Sequence, residues 1–185
     1  RLPEALGNLA RLLEGLPSGL EATTVLLACG SRPSPAELAP LLSAADFLEF
    51  SPPASSGAAA AWRRGEVELL VGPGCFSRWA RWGELGLATA GTATEQLVGL
   101  GVPALSLPGP GPQFKAGFAR RQSRLLGGSV LPCHSARDLR TRLHALLADP
   151  AERLRLGGIG RRRMGPAGGS ERLARAIAAQ LLDPA

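Results

Sequence analysis

Apolar residues follow two patterns along this chain. Some segments have apolar residues at helical spacing, others are short continuous apolar runs typical of strands, and the two kinds of segment alternate. Leucines repeat at helical spacing at the start, which predicts an amphipathic helix over residues 2–16. The apolar run 22–29 is rich in β-branched residues and ends in Gly30-Ser31, which predicts a buried strand and its exit loop. Similar short runs predict four further strands, at residues 66–71, 85–89, 103–107 and 129–131.

Helical spacing fills most of the chain between these strands. Ser34-Pro35 begins one predicted helix. A second helix is predicted within Cys75–Glu84, where Phe76, Trp79 and Trp82 recur at helical spacing. This spacing favours core positions for the three aromatic side chains over stacking on a ligand. The Ser, Pro, Gly and Ala residues of 51–60 predict a flexible surface loop. Further helices are predicted at 92–100, 115–126 and 136–148, and in a helical last quarter with a glycine-rich break at Gly157–Gly169.

Strands that alternate with helices through short connections predict an α/β fold, with a Rossmann-like parallel sheet covered by helices on both faces. The chain has 185 residues, which suits a single domain over 1–185. Hydrophobic residues make up 45% and charged residues 19%, which excludes a disordered chain. No apolar run reaches the length of a membrane span.

The net charge of +6 comes from arginine, because Lys115 is the one lysine. The run Arg161-Arg162-Arg163 favours a solvated surface face, with a phosphate- or membrane-facing patch as the alternative. The chain has no tyrosine and few other aromatics, so we expect no nucleic-acid partner. Three widely separated cysteines argue against a disulfide framework or a zinc site and fit a reducing cytoplasm.

The segment 85–108 is the most informative part of the chain. It combines an apolar strand, a tight turn at Gly91, a helix that begins at Thr92 and a second apolar strand. Free backbone N–H groups and the positive end of the helix dipole make such a helix start an anion site, and Glu95 one turn later could bind a ribose diol. The alternative is structural, since Thr92-x-x-Glu95 also has the spacing of a capping box.

Several motifs around this segment match one family in sequence and in order. The chain closely resembles the lipid-A-disaccharide synthase-related proteins and, more broadly, the C-terminal nucleotide-sugar-binding domain of GT-B glycosyltransferases. The residues that carry the resemblance are Gly91-Thr92-Ala93-Thr94-Glu95-Gln96, Gly101-x-Pro103, Pro108-Gly109-x-Gly111-Pro112-Gln113-Phe114, Gly117-Phe118-Ala119, Gln122 to Ser129 and Met164-Gly165-Pro166.

The resemblance implies a role for each candidate site residue. The helix start would hold the pyrophosphate of a nucleotide sugar through Gly91, Thr92, Ala93 and Thr94. Glu95 would bind the ribose hydroxyls, and Gly72 and Gly74 would lie near the base. Gln113 would contact the sugar, unless it is an ordinary loop residue, and Gln96 is either a further contact or a solvated helix residue.

The function that the resemblance implies is donor binding in a glycosyltransferase. The donor would be a nucleoside-diphosphate sugar, UDP-linked by analogy with the family, and the acceptor would be lipid-linked or otherwise hydrophobic. No cofactor or metal is expected, because the protein itself would neutralise the diphosphate and the chain has no Asp-x-Asp motif. The general base would lie in an N-terminal acceptor domain outside this chain, so the catalytic residues are unknown and residues 1–185 alone should be inactive. The expected location is the cytoplasm, with a peripheral position at the inner face of the membrane as a variant of it.

Three alternatives stay open. They are a nucleotide-sugar epimerase of the same fold, a non-catalytic nucleotide-binding module, and an arginine-rich nucleic-acid binder.

The resemblance also implies that the first strand of the domain is missing. Only five strands are predicted from residue 22 onwards. In the strand order 3-2-1-4-5-6 the missing strand is central, so its two neighbours would face a gap of unpaired backbone. We therefore expect additional chain upstream, or a strand donated by a partner, to fill this gap.

Overall fold

A computed structural model describes residues 2–17, 19–89, 91–109, 111 and 114–181. The strands are β1 (Thr23–Cys29), β2 (Leu48–Phe50), β3 (Ala60–Arg64), β4 (Val67–Pro73), β5 (Gly86–Ala88), β6 (Ala104–Ser106) and β7 (Val130–Pro132). The helices are α1 (Leu2–Glu14), α2 (Pro35–Ala44), α3 (Phe76–Trp79), α4 (Thr92–Gly99), α5 (Ala116–Leu125), α6 (Ala136–Ala148), α7 (Pro150–Met164) and α8 (Gly169–Leu181), with a 3-10 turn at Ala54–Ser56.

The strands form two sheets. The first sheet has the order β1-β4-β3-β2, in which β1 and β4 are parallel while β3 is antiparallel to both of its neighbours. The second sheet has the order β5-β6-β7 and is entirely parallel. The α/β class is therefore confirmed, and the second sheet is parallel as predicted, but the prediction of parallel strands throughout is wrong for the first sheet, because β3 is antiparallel.

The antiparallel pairing comes from β2 and β3, which the sequence pattern did not predict. Residue 60, at the end of the predicted surface loop, begins β3, and residues 54–56 form the 3-10 turn. Ala60 and Ala61 are 7% and 0% exposed, because β3 lies between β2 and β4 within the sheet. A two-residue connection containing Gly65, whose φ is +57°, reverses the chain between β3 and β4.

Among the described residues each sheet has two edge strands, and β1 and β5 are the two that concern the missing strand. The strand β1 pairs only with β4, and β5 pairs only with β6. In the order 3-2-1-4-5-6 these are the two strands that flank the missing one. All seven residues of β1 stay partly or fully exposed although five of them are apolar, whereas the neighbouring β4 is largely buried.

Helices cover both faces of the strands, as predicted. The largest core cluster joins the two sheets to α1, α2 and α6, and includes Leu69 and Leu105. A second cluster packs α4 and α5 on the opposite face of the second sheet, around Val98 and Val130. A third cluster on the first sheet is built around Trp79.

The predicted break at Gly157–Gly169 is wrong over most of its length. The helix α7 continues to Met164, and only Gly165–Gly168 separates it from α8. Gly157 and Gly160 are buried where α7 crosses α4 and the turn that follows it. A Cβ atom on Gly157 would lie 2.0 Å from the Gly101 carbonyl oxygen, so the glycines allow close packing instead of ending the helix.

The helix predicted over Cys75–Glu84 is also shorter than expected. The described helix α3 is a single turn, Phe76–Trp79. Trp79 is 2% exposed, which confirms its place in the core, whereas Trp82 is 55% exposed and the core prediction is wrong for it. The Arg78 guanidinium lies 5.8 Å from the centre of the Trp82 ring. No described helix has both the length and the apolar character needed to cross a bilayer.

Candidate functional site

The start of α4 is open to solvent at the carboxyl end of β5. Gly91 is the N-cap residue, Thr92 and Ala93 are exposed, and no side chain caps the helix among the residues described. The alternative capping box between Thr92 and Glu95 is therefore not formed. The first backbone N–H groups of α4 and the positive end of its dipole lie where an anion can reach them.

Glu95 is held by a residue of α5 instead of by the helix start. The buried Gln122 amide nitrogen donates to Glu95 Oε1 at 3.3 Å and to the Gly91 carbonyl oxygen at 3.1 Å. Gln122 is 2% exposed, whereas Glu95 is partly exposed. The carboxylate is thus fixed beside the open helix start and still faces solvent.

Aromatic packing sets the distance between α4 and α5. A Cβ atom on Gly91 would lie 3.3 Å from Phe118 Cζ, so the turn before α4 packs closely on this ring. Phe118 makes an edge-to-face contact with Phe114, with ring centres 5.5 Å apart. A Cβ atom at position 91 would therefore require the Phe118 ring to shift by a few tenths of an ångström.

The loop after β6 forms the neighbouring part of the same edge and is held by α1. Arg11 donates to the Pro108 carbonyl oxygen. A Cβ atom on Gly109 would lie 2.1 Å from Asn8 Oδ1, and one on Gly111 would lie 1.9 Å from Glu4 Oε1. The buried Asn8 side chain therefore leaves no room for a Cβ atom at position 109, whereas the end of the Glu4 side chain can move away from position 111.

A cleft of about 370 Å³ lies between the ends of β6 and β7 and the start of α5. Lys115, Arg120 and His134 are among its lining residues, and all three are exposed. Cys133 also lines the cleft, and burial raises the pKa of its thiol to about 12. The thiol is therefore neutral near pH 7. Lys115 and Arg120 give the lining of the cleft positive charge, which favours anions.

A basic face on α5 borders this cleft. Arg120, Arg121 and Arg124 are exposed, and none forms an ion pair with a described residue. They line a second open cleft of about 510 Å³, and α5 contains no acidic residue. Arg161-Arg162-Arg163 is also exposed at the end of α7, as predicted, and Arg161 donates to the Leu100 carbonyl oxygen at 2.9 Å.

Three buried polar atoms without a hydrogen-bond partner among the described residues lie on elements that meet at this edge. They are Asn8 Oδ1 on α1, Ser106 Oγ at the end of β6, and Gln122 Oε1 on α5. Unpaired buried polar atoms are uncommon in folded proteins and often mark a place for water or a ligand.

The structure brings some of the predicted site residues together and separates others. Gly91, Thr92, Ala93 and Glu95 share the start of α4; Thr94 is buried beside them, and Gln96 is exposed on the same helix. Gly72 and Gly74 lie at the end of β4, in the other sheet. Gln113 lies outside the described residues. None of residues 91–96 lines either of the two clefts.

The glycines at the end of β4 have structural reasons of their own. A Cβ atom on Gly72 would lie 2.2 Å from Trp79 Cη2, so this glycine makes room for the buried indole. Gly74 has a φ of +71°, and its backbone nitrogen donates to the Cys29 carbonyl oxygen at 2.9 Å. These contacts account for both glycines without a bound nucleotide.

Sequence reasoning did not assign a site role to Gln122 or to Arg120. The signal for Gln122 was available, because it stands four residues after Phe118 and four before Leu126 on the inward side of α5. A lone amide among apolar residues on a buried helix face needs a hydrogen-bond partner. For Arg120 there was no such signal, since exposed arginines occur throughout the chain.

Comparison with the profiles of known protein families finds no match for this chain. Comparison with curated protein sequences finds none either. The family resemblance read from the motifs therefore stays a prediction. Among the described residues, no group of three His, Cys, Asp or Glu side chains could hold a metal ion.

Proposed function

We propose that this chain is the donor-binding unit of a glycosyltransferase that uses a nucleoside-diphosphate sugar, UDP-linked, in the manner of lipid-A-disaccharide synthase. The observation that carries the proposal is the open start of α4 with the Glu95 carboxylate held beside it by Gln122. An anion-binding helix end next to a fixed carboxylate matches a diphosphate joined to a ribose diol. Both lie at the carboxyl end of a parallel strand, where open α/β sheets bind ligands.

In this proposal the donor extends from the start of α4 along the carboxyl edge of the second sheet. The backbone N–H groups of α4 bind the diphosphate, and Lys115 and Arg120 supply positive charge further along the edge. The loop that contains Gly109 lies between these two groups in the chain and packs on α1. The residues of this chain thus bind and orient the donor.

The proposed reaction is substitution at the anomeric carbon. An acceptor hydroxyl oxygen forms a bond to that carbon, the bond to the diphosphate oxygen breaks, and the nucleoside diphosphate leaves with the electron pair. The hydroxyl proton passes to a base on a separate acceptor-binding domain, so residues 1–185 alone do not transfer sugar. The fixed N–H donors of α4 stabilise the charge that grows on the leaving diphosphate.

Titration calorimetry with UDP and with UDP-sugars tests the proposal. We expect wild-type protein to bind UDP and Glu95→Ala to bind it about 10- to 100-fold more weakly, because hydrogen bonds to a charged acceptor are lost. Glu171→Ala removes the first-turn glutamate of α8 and serves as the matched control. Wild-type protein that binds neither UDP nor a UDP-sugar, or Glu95→Ala binding that equals the control, would contradict the proposal.

Assembly of the whole enzyme needs two additional parts in this proposal. One is the acceptor-binding domain, which binds a lipid-linked substrate at the cytoplasmic face of the membrane. The other is a strand that runs parallel to β1 and β5 and pairs with their free edges. The apolar, incompletely buried residues of β1 support this strand, because an unpaired edge of that composition favours pairing with another strand.

One observation favours a second candidate, a module that binds an anionic polymer such as RNA. The exposed face of α5 carries three arginines and no acid. If the chain binds a nucleotide sugar as proposed, we expect UDP to bind at physiological salt and short RNA not to compete with it. RNA binding that weakens steeply with salt, and is lost when Arg120, Arg121 and Arg124 are all replaced by Ala, would favour this second candidate. Fluorescence anisotropy with labelled RNA at several salt concentrations distinguishes the two.

A further inference from the structure

We infer that Gln122 is a positioning residue that fixes the Glu95 carboxylate and thereby makes the site prefer ribonucleotides to 2′-deoxyribonucleotides. This inference rests on the proposed function, because it assigns Glu95 to the ribose. It adds a residue of α5 to a site otherwise built from α4.

The contacts of Gln122 define its orientation. Its Nε2 atom lies 3.1 Å from the Gly91 carbonyl oxygen and 3.3 Å from Glu95 Oε1. Both partners only accept hydrogen bonds, and a side-chain amide nitrogen has two hydrogens to donate. The opposite orientation would place the amide oxygen against a carbonyl and a carboxylate, so the chemistry of the partners selects the observed one.

The hydrogen bond from Gln122 makes the two oxygens of the Glu95 carboxylate inequivalent. Oε1 accepts from Gln122, and Oε2 has no partner among the residues that the structure describes. A carboxylate held through one oxygen at the partly exposed end of a helix presents the other oxygen in a fixed direction. That oxygen is the acceptor for a ribose hydroxyl.

Folding alone does not account for an amide at this position. Gln122 is 2% exposed, and its Oε1 has no partner among the described residues, which opposes folding. Gly91 carbonyl oxygen also accepts from the Glu95 backbone nitrogen at 3.2 Å, so it stays paired without Gln122. The fold would therefore tolerate an apolar side chain of the same length at position 122. Such a side chain would not donate the hydrogen bond that orients the Glu95 carboxylate.

The experiment compares UDP with 2′-deoxy-UDP by calorimetry in wild-type protein, Gln122→Met, Glu95→Ala and the double variant. We expect wild-type protein to prefer UDP by about tenfold, the order of one hydrogen bond to a charged group. Gln122→Met should reduce this preference to less than about twofold, with no loss of thermal stability. In the Glu95→Ala background the same change should have no additional effect on the preference, since Gln122 acts through Glu95.

Gln180→Met is the matched control, because it makes the same replacement at an exposed position of α8. Absence of UDP binding by wild-type protein overturns the proposed function and the role of Gln122 with it. UDP binding with an unchanged preference in Gln122→Met overturns the role of Gln122 alone. An equal loss of affinity for both nucleotides also overturns it, because that result indicates a general structural effect.

A second measurement leaves Gln122 unchanged and so does not depend on how its variant folds. The side-chain amide hydrogens of Gln122 give NMR signals that report their hydrogen bonds. We expect Glu95→Ala to shift the signal of the hydrogen that Glu95 accepts, and to shift it in the absence of nucleotide. Signals that stay at their wild-type positions in Glu95→Ala overturn the inference.

Discussion

Replacing Trp79 with Ala is expected to lower the free energy of unfolding by about 3–5 kcal/mol. The indole is 2% exposed and forms the centre of the third core cluster with Ala61 and Leu70. Its Nε1 donates to the Ser56 carbonyl oxygen at 3.0 Å, and Gly72 leaves room for its ring. The substitution removes all of these contacts and opens a cavity beneath the first sheet. Urea denaturation followed by circular dichroism measures the loss.

Trp82→Ala is the control for this prediction, because it makes the same change three residues later. Trp82 is 55% exposed, and the Arg78 guanidinium lies over its ring. Removing an exposed cation–π contact costs about 1 kcal/mol or less. Equal effects from the two substitutions would show that Trp79 does not hold the core of the first sheet.

Gly157→Ala is expected to lower stability by about 3 kcal/mol, the upper end of the usual cost of overpacking. Its new Cβ atom would lie 2.0 Å from the Gly101 carbonyl oxygen and 2.9 Å from the carbonyl carbon. Both are backbone atoms and cannot rotate away, so α7 has to move from α4. For a domain of this size the melting temperature should fall by about 6–12 °C, which calorimetry measures.

The neighbouring Gly158 provides the control for Gly157. A Cβ atom at Gly158 would meet only the Arg162 side chain, at 3.6 Å, which is an ordinary contact. Alanine also favours helices over glycine by about 1 kcal/mol, so Gly158→Ala should keep or raise stability. A loss at position 158 as large as that at 157 would mean that contact with Gly101 is not the cause.

The local elements near the site could be predicted because glycines mark their ends. Gly91 precedes α4, and Gly101, with a φ of +88°, follows it, so a helix predicted over 92–100 is observed as Thr92–Gly99. The strands on either side were predicted from short apolar runs that are buried in the second sheet. In these places, the local sequence and the tertiary environment favour the same structure.

Other features depend on contacts that are distant in sequence. The strand β3 has the sequence Ala-Ala-Trp-Arg-Arg, which does not alternate, and it is extended because β2 and β4 pair with it on both sides. The glycines of α7 predict a break when read along the chain, but they are needed where α7 crosses Gly101. The contact between Gln122 and Glu95 joins two helices 27 residues apart, and no local pattern could reveal it.

The open side of β1 has a consequence for the behaviour of the purified protein. This strand has the sequence Thr-Thr-Val-Leu-Leu-Ala-Cys and contains no charged residue or proline to block the addition of another strand. Short uncharged segments of high β-propensity also nucleate amyloid-like fibrils. While that side is uncovered, we expect storage at high concentration to favour fibril growth from this strand.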